Sequence, residues 1–426
     1  MKTTHFGTDG IRGIYGETLT EETAYRLGAA LGKTGSVLIG RDNRPSSPSL
    51  ARALAEGIRS VGGDFQAVGV ITTPALYYLL SISEHANAVM VTASHNPPEH
   101  NGLKVFTQKG KPTENERHAI EGTMMKISPR SASHLAYREK HDLFPYIEYL
   151  KRTFGPLNGI KVVLDCAGGA ASVFKGVYRD LGAEETTINA RENGDRINVD
   201  CGALHPETCA REVLRVGADI GVSVDGDGDR IAVVTRSGKV LDGDRVTYLL
   251  ACRMKEKRRL NKNRVAMTVM TNGGIIKSLT ERGITVTSTA VGDAALAETM
   301  KLENINLGGE QSGHVILGDY LPTGDGLAVG AALMKSILEE GDLESAPVPI
   351  IYPQVLLNIP VKDRTVASDP EIRWLAEQIE EELKEGRILL RASGTESVIR
   401  IMAEHPDEKK AKLAAVKLKE AVLRHA

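Results

Sequence analysis

No stretch of this 426-residue sequence is long and apolar enough to suggest a membrane span. The longest uncharged run, 65–83, contains Gln66, Gly69, Thr72, Thr73, Pro74 and Ser81, and reads as strand, turn and helix. The opening residues MKTTHFGTDG have no apolar h-region, so a signal peptide is not expected. Neither sign of charge dominates. Lys and Arg number 53, Asp and Glu 55, for a net −2, which argues against a nucleic-acid binder relying on bulk positive charge. An anionic ligand must then be held by local basic groups. Cysteine is scarce: Cys166, Cys201, Cys209 and Cys252 show no CxxC spacing for zinc or redox chemistry, and free thiols in a reducing cytoplasm are the expectation.

The length calls for two to four domains, and 43 glycines suit a fold with many strand-to-helix turns. Strand and helix patterns alternate through most of the chain, as in α/β layers with largely parallel sheets. The alternation repeats three times. The first repeat has strands at 37–39, 65–70 and 88–91, with Leu50, Leu54, Ile58 and Val61 marking one face of a helix. The second has strands at 162–164, 186–188 and 220–224, with helices near 174–181 and 209–216. The third has strands at 265–269 and 286–288, helices at 275–279 and 294–300, and a final strand near 306–308. Each repeat ends in a polar loop beyond a strand's carboxyl end, where α/β sheets place ligands. The tail differs. Strands at 355–359, 388–390 and 398–401, with helices at 371–383 and 408–423, read as a small α+β domain after a proline-rich linker at 346–353. The expected domain limits are 1–140, 141–241, 242–347 and 348–426.

Three motif matches fail on detail. GAALGKT at 28–34 lacks the P-loop's first glycine, since Leu27 stands there, and it lies inside a helical pattern. An EF-hand opening at Asp225 would have Arg230 and Arg236 where glycine and glutamate belong. Ser94 is flanked by Thr92 and Asn96 rather than the glycines of a hydrolase elbow. An aspartyl-phosphatase reading of DxD is weaker too, because threonine or valine is usual at the position of Asp229.

Four loops carry chemistry. VTASHNP at 91–97 follows an apolar strand; Pro97 and Pro98 stiffen it, and His95, Asn101 and Lys104 lie close in sequence. A loop serine before Asn-Pro is often only a turn former, but a hydroxyl that accepts a phosphoryl group needs nearby neutralising charge. DGDGDR at 225–230 offers it. Alternate residues of an extended segment face one way, and the glycines let Asp225, Asp227 and Asp229 converge. Packed between apolar strands these carboxylates would repel without a cation, and hard oxygen ligands suit Mg²⁺ or Ca²⁺. GEQSGH at 309–314 can bond vicinal hydroxyls, or be a surface turn. RASGT at 391–395 can hold a phosphate dianion, reinforced by Arg400, though Ser-Gly-Thr also makes ordinary turns.

Taken in order, FGTDGIRG (6–13), GRDNRPSS (40–47), TASHNP, NGLK (101–104), DGDGDR, GEQSGH and RASGT resemble the α-D-phosphohexomutase family over nearly the whole chain. FGTDGIRG with GEQSGH is most similar to the branch acting on glucosamine phosphates. The resemblance implies an α/β fold of four domains around a central cleft, three similar repeats with mixed sheets plus a smaller C-terminal α+β domain. It implies that Ser94 is a phosphoserine and that Asp225, Asp227 and Asp229 hold one Mg²⁺ beside it. Arg230, Glu310, Ser312 and His314 would contact the sugar phosphate. Arg391, Ser393, Gly394 and Thr395, with Arg400, would hold the non-reacting phosphate. Arg12, Lys104 and His314 are candidates for charge stabilisation and proton transfer. The implied reaction interconverts glucosamine 6-phosphate and glucosamine 1-phosphate through glucosamine 1,6-bisphosphate, by a cytoplasmic monomer or homodimer with no nucleic-acid or membrane partner. Ala392 and Ser397 stand where the family usually has proline, and Ala294 where this branch carries a basic residue. Alternatives left open are a glucose or mannose phosphate mutase, a metal-dependent sugar phosphatase, and a sugar-phosphate-binding regulator without turnover. Filled catalytic motif positions count against the regulator.

Overall fold

The structure, a computed structural model, describes residues 6–130, 135–191, 193–392 and 397–425. The first repeat comprises β1 (Ile11–Ile14), α1 (Glu21–Gly32), β2 (Val37–Arg41), α2 (Ser47–Ser60), β3 (Phe65–Val70), α3 (Thr73–Ser81), β4 (Asn87–Val91), β5 (His100–Thr107) and α4 (Glu114–Met124). The second comprises α5 (Phe144–Phe154), β6 (Lys161–Asp165), α6 (Val177–Asp180), β7 (Glu184–Ile188), α7 (Glu207–Val216), β8 (Ile220–Val224), β9 (Ile231–Thr235) and β10 (Val240–Leu241). Next come α8 (Gly243–Glu256), β11 (Arg264–Thr268), α9 (Gly273–Glu281), β12 (Thr285–Thr289), α10 (Asp293–Glu303), β13 (Leu307–Gly309), β14 (Val315–Leu317) and α11 (Gly326–Glu340). The tail has β15 (Gln354–Pro360), α12 (Pro370–Leu383), β16 (Arg387–Ala392), β17 (Val398–Glu404) and α13 (Glu408–His425).

The sheets are mixed. Their orders are β1-β5-β4-β2-β3, β10-β9-β8-β6-β7, β12-β11-β13-β14 and β15-β17-β16. In the first three, β2, β6 and β11 each lie parallel to β4, β8 and β13, after which the chain reverses as antiparallel β5, β9 and β14. TASHNP, DGDGDR and GEQSGH form those three reversals, so one topological event places all three chemical loops.

Packing follows the sequence periodicity. Leu50, Leu54 and Ile58 form the fully buried stripe of α2. Helix α1 crosses it at unusually short range: a Cβ on Gly28 would sit 2.0 Å from Leu54 O, and one on Gly57 1.9 Å from Tyr25 O. GAALGKT is therefore a helix contact, as expected when the phosphate-loop reading fails. The helix expected near 174–181 is instead a 3-10 turn (Ala170–Phe174) followed by the short α6. Gly176, at φ +88°, breaks it, and the Glu185 carboxylate accepts from the N–H groups of Gly176 (2.6 Å) and Tyr178 (2.8 Å).

Residues 1–269 with 287–347 form one unit, and 270–286 with 348–426 another. In the second, Ile372, Ile379 and Leu383 of α12 and Leu418 and Val422 of α13 pack against Ile359, Ile399 and Ile401 of the antiparallel sheet. Helix α9 belongs to this unit: Asn272 exchanges hydrogen bonds with Tyr352, and the Gly273 N–H donates to Glu404 Oε1 at 2.8 Å. The four cysteines are free and buried. Among the described residues no helix is long and apolar enough to cross a membrane.

Candidate active site

Strand β4 is buried at every residue, and the chain leaves it through Thr92 and Ala93 into Ser94. Ser94 adopts φ +53°, a left-handed conformation uncommon outside glycine. Its Oγ donates to Asp225 Oδ2 at 2.6 Å. The turns after β4 and β8, 131 residues apart in sequence, thus meet at the serine singled out from sequence. Gly226 makes that approach possible, because a Cβ there would lie 2.5 Å from Ser94 O.

Asp225, Asp227 and Asp229 are buried, with ligand-type oxygens all within 4.8 Å of one another. Thr73 Oγ1 donates to Asp227 Oδ2 at 2.5 Å, and the Arg230 N–H donates to Asp225 Oδ1 at 3.2 Å. Lys104, on β5 and almost fully buried, places Nζ 2.7 Å from both Asp227 Oδ2 and Asp229 Oδ2. Burial disfavours its ammonium, but Asp227, Asp229 and Asp9 outweigh this and raise its pKa well above the ordinary value. Asp229 is likewise opposed by burial, yet Lys104, His314 and Arg230 hold its carboxyl well below the usual range. Asp225 is the exception: burial first, then its neighbours Asp229 and Asp227, push it up to about 7.

These residues fit a divalent cation. Asp227 Oδ1 and Asp229 Oδ1 are buried without a hydrogen-bond partner among the described residues, and ligand oxygens of all three carboxylates converge there. Oxygen donors of this kind, with the serine oxygen beside them, match Mg²⁺. A second group, Asp229, Asp293 and His314, is a poorer cation site. His314 Nε2 accepts from the Gly324 N–H at 3.1 Å, which leaves the ring proton on Nδ1, facing Asp229 Oδ1 at 3.9 Å.

Other sequence candidates are placed as follows. Arg12, on β1, pairs with Asp9 and is only partly buried. Glu310 is buried and its Oε1 accepts from the Gly292 N–H at 2.9 Å, whereas Ser312 is exposed. Arg230 follows the carboxylates directly; burial opposes its charge, but Asp225 and Asp229 raise its pKa. In the second unit, Arg391 and Arg400 are direct partners across β16 and β17. Both line a cavity of about 190 Å³ with Leu389 and Met402. Like charges placed opposite each other on a sheet favour a bound anion. Ser393, Gly394 and Thr395 lie outside the described residues.

Several residues with no role legible in the sequence also shape the site. Asp42 and Arg44, inside GRDNRPSS, are fully buried beneath the Ser94 turn. Lys111 pairs with Asp9 and with Asp293, joining the first and third repeats. Asn198 touches the Ser94 turn from the second repeat. For Asp42 and Arg44 the available signal was a charged pair directly after a buried strand.

Sequence models of the four domains of "Phosphoglucomutase/phosphomannomutase" match residues 3–131 (domain I), 145–238 (II), 242–347 (III) and 356–421 (C-terminal). A phosphoglucosamine mutase from Shouchella clausii is 39% identical over 420 residues, 94% of each chain. One from Brevibacillus brevis is 40% identical over 427 residues, 95% of each. The crystal structure of a phosphoglucomutase/phosphomannomutase family protein from Burkholderia thailandensis superposes at TM-score 0.84 and 24% identity. That match covers 100% of this chain and 99% of the other. The chain belongs to the phosphoglucomutase/phosphomannomutase family, the α-D-phosphohexomutases.

Proposed function

We propose that this protein interconverts glucosamine 6-phosphate and glucosamine 1-phosphate, with Ser94 as phosphoryl carrier and glucosamine 1,6-bisphosphate as intermediate. The observation that carries the reading is the Ser94 hydroxyl 2.6 Å from Asp225, at the edge of three buried carboxylates. The 39–40% identity to phosphoglucosamine mutases supports the choice of sugar. Asp225, Asp227 and Asp229 would hold Mg²⁺, which when bound neutralises charge on a transferring phosphoryl group.

The chain's own residues do the rest. In the first half-reaction the Ser94 Oγ–P bond breaks as a sugar hydroxyl bonds to phosphorus, the hydroxyl proton leaves, and the serine oxygen is reprotonated. In the second, Ser94 takes back the other phosphate, so phosphate and protons balance over the cycle. Lys104 and Arg230 set positive charge beside the carrier. Arg12 and His314 line the same region, with the His314 ring fixed by the Gly324 N–H. Glu310 and Ser312 would bond sugar hydroxyls. Arg391 and Arg400, with Ser393, Gly394 and Thr395, would grip whichever phosphate is not reacting.

A product assay over glucosamine, glucose and mannose 1-phosphates, each primed with its bisphosphate, tests this directly. Glucosamine phosphate should give the highest kcat/KM, Ser94→Ala should abolish turnover, and intact mass should show one phosphate on wild type only. A tenfold preference for glucose or mannose phosphate refutes the sugar assignment. Release of inorganic phosphate in place of isomer refutes the mutase.

A further inference from the structure

The Ser94 turn holds a left-handed backbone conformation, at φ +53°, that persists only where its surroundings over-determine it. Here every backbone polar group of Ser94 is bound. Its N–H donates to Thr92 Oγ1 at 2.9 Å, and Thr92 Oγ1 in turn donates to Asp42 Oδ2 at 2.7 Å. Its carbonyl accepts from Arg44 Nη2 and from Asn198 Nδ2, each at 2.9 Å. The same two donors reach Asn96 O, at 2.8 and 3.1 Å. Arg44 also donates to His100 O at 3.0 Å and to Pro97 O, and is anchored by Asp42 at 2.9 Å.

Asn198 differs from the others in origin. It lies in the loop after β7, in the second repeat, and its backbone is itself left-handed at φ +60°, with its N–H donating to Ala167 O at 2.9 Å. The amide can face the two carbonyl oxygens only through Nδ2, since the flipped form would set oxygen against oxygen. Gly226 closes over this contact: a Cβ there would be 2.5 Å from Ser94 O and 2.9 Å from Asn198 Nδ2. One amide thus spans the carrier turn at the point where the carboxylate loop rests on it.

We propose that Asn198 is a positioning residue for phosphoryl transfer, acting with Arg44 through the Ser94 carbonyl to hold Ser94 Oγ in register with Asp225. It touches neither substrate nor cation in this assignment. Its contribution is angular: without it the peptide after Ser94 can rotate, and the carrier oxygen swings off the line of transfer. Misplacement of about 1 Å can cost roughly a hundredfold in rate. Because the same oxygen serves both half-reactions, both directions should suffer alike.

The inference rests on Ser94 being the carrier, so the test runs Asn198→Ala and Asn198→Asp beside Ser94→Ala. The aspartate is isosteric but turns an acceptor towards two carbonyls. Expected are a ten- to hundredfold fall in kcat in both directions for Asn198→Ala and a larger fall for Asn198→Asp. KM and the Mg²⁺ concentration for half-maximal rate should stay within about twofold. A fold that is merely loosened would move KM and metal demand together with kcat. Wild-type kcat in Asn198→Ala, or a raised KM at unchanged kcat, overturns the inference. Turnover retained by Ser94→Ala removes the carrier reading instead.

Discussion

Replacing Lys104 with methionine isolates the electrostatic core of the site. The side chains are similar in length, so no large cavity forms, and β5 keeps its pairing with β1 and β4. The ammonium is nearly fully buried and 2.7 Å from two carboxylate oxygens. At an effective dielectric of about 20, each such contact attracts by about 6 kcal/mol, against several kcal/mol for desolvating the ammonium. Removing one partner of a buried pair typically costs about 3–5 kcal/mol, because the remaining charge loses its compensation. In a protein of this size that is a fall in melting temperature of about 3–6 °C in EDTA. Mg²⁺ would then be the main counter-charge for Asp227 and Asp229, so it should stabilise the variant more than the wild type. Turnover should still fall, by about 10²–10³-fold, since one fixed positive charge beside the transferring phosphoryl group is gone. Melting curves of both proteins in EDTA and in Mg²⁺, with kcat at saturating metal, provide the check. A variant that melts at the wild-type temperature in EDTA refutes the claim that the lysine holds the carboxylates together.

Two further outcomes follow from other parts of the fold. Arg391→Ala should weaken binding of the 1-phosphate and the 6-phosphate alike, by roughly 1.5–3 kcal/mol for a lost charge-assisted hydrogen bond, read as KM in each direction. A defect in one direction only, beyond what the overall equilibrium imposes, contradicts a shared site. Asp325 caps α11 through the Ala328 N–H and accepts from Tyr146 OH, and burial raises its carboxyl to about 6. The folded state therefore holds that proton more tightly than the unfolded chain, and stability is lost as pH rises from about 4 to 6, by roughly 3 kcal/mol over that window. Asp325→Asn keeps the cap and should flatten that part of the pH–stability profile; an unchanged slope places the titration elsewhere.

Much of this was legible in sequence for a simple reason: β4 and β8 are buried throughout, so their apolar runs announce the strand and the polar turn after it. The acidic turn could be read because three carboxylates between two apolar strands have few alternatives. Strand β5 was harder. It opens with His100, Asn101 and Gly102, which look like a turn, and Lys104 falls where a buried strand should be apolar. Its burial depends on Asp227 and Asp229, more than 120 residues away. Arg44 and Asn198 were silent for the same reason: a polar loop residue looks solvated until the carbonyls it serves are known. Helix α6 failed locally, since the break at Gly176 needs the Glu185 carboxylate from the following strand.

The carboxylate loop is the junction of the first three repeats, and that role explains its composition better than cation binding alone. On one side Gly226 rests on the Ser94 carbonyl, and Asp227 receives the Thr73 hydroxyl while its carbonyl accepts the Thr73 N–H at 2.8 Å. On the other, the Ile231 N–H donates to Gly313 O at 3.0 Å, and a Cβ on Gly313 would lie 2.3 Å from Ile231 O. The Gly326 N–H donates to Gly228 O at 3.0 Å, tying in the start of α11. Backbone hydrogen bonds therefore tie the start of α3, the GEQSGH turn and the start of α11 to this loop, while the Ser94 turn meets it through the Ser94 Oγ–Asp225 Oδ2 bond. The carboxylates are kept close to one another by these backbone contacts together with the Lys104 ammonium, at the cost seen in Asp225. On the proposed function such a site would be preorganised, with the charge needed in phosphoryl transfer in place before the sugar phosphate arrives.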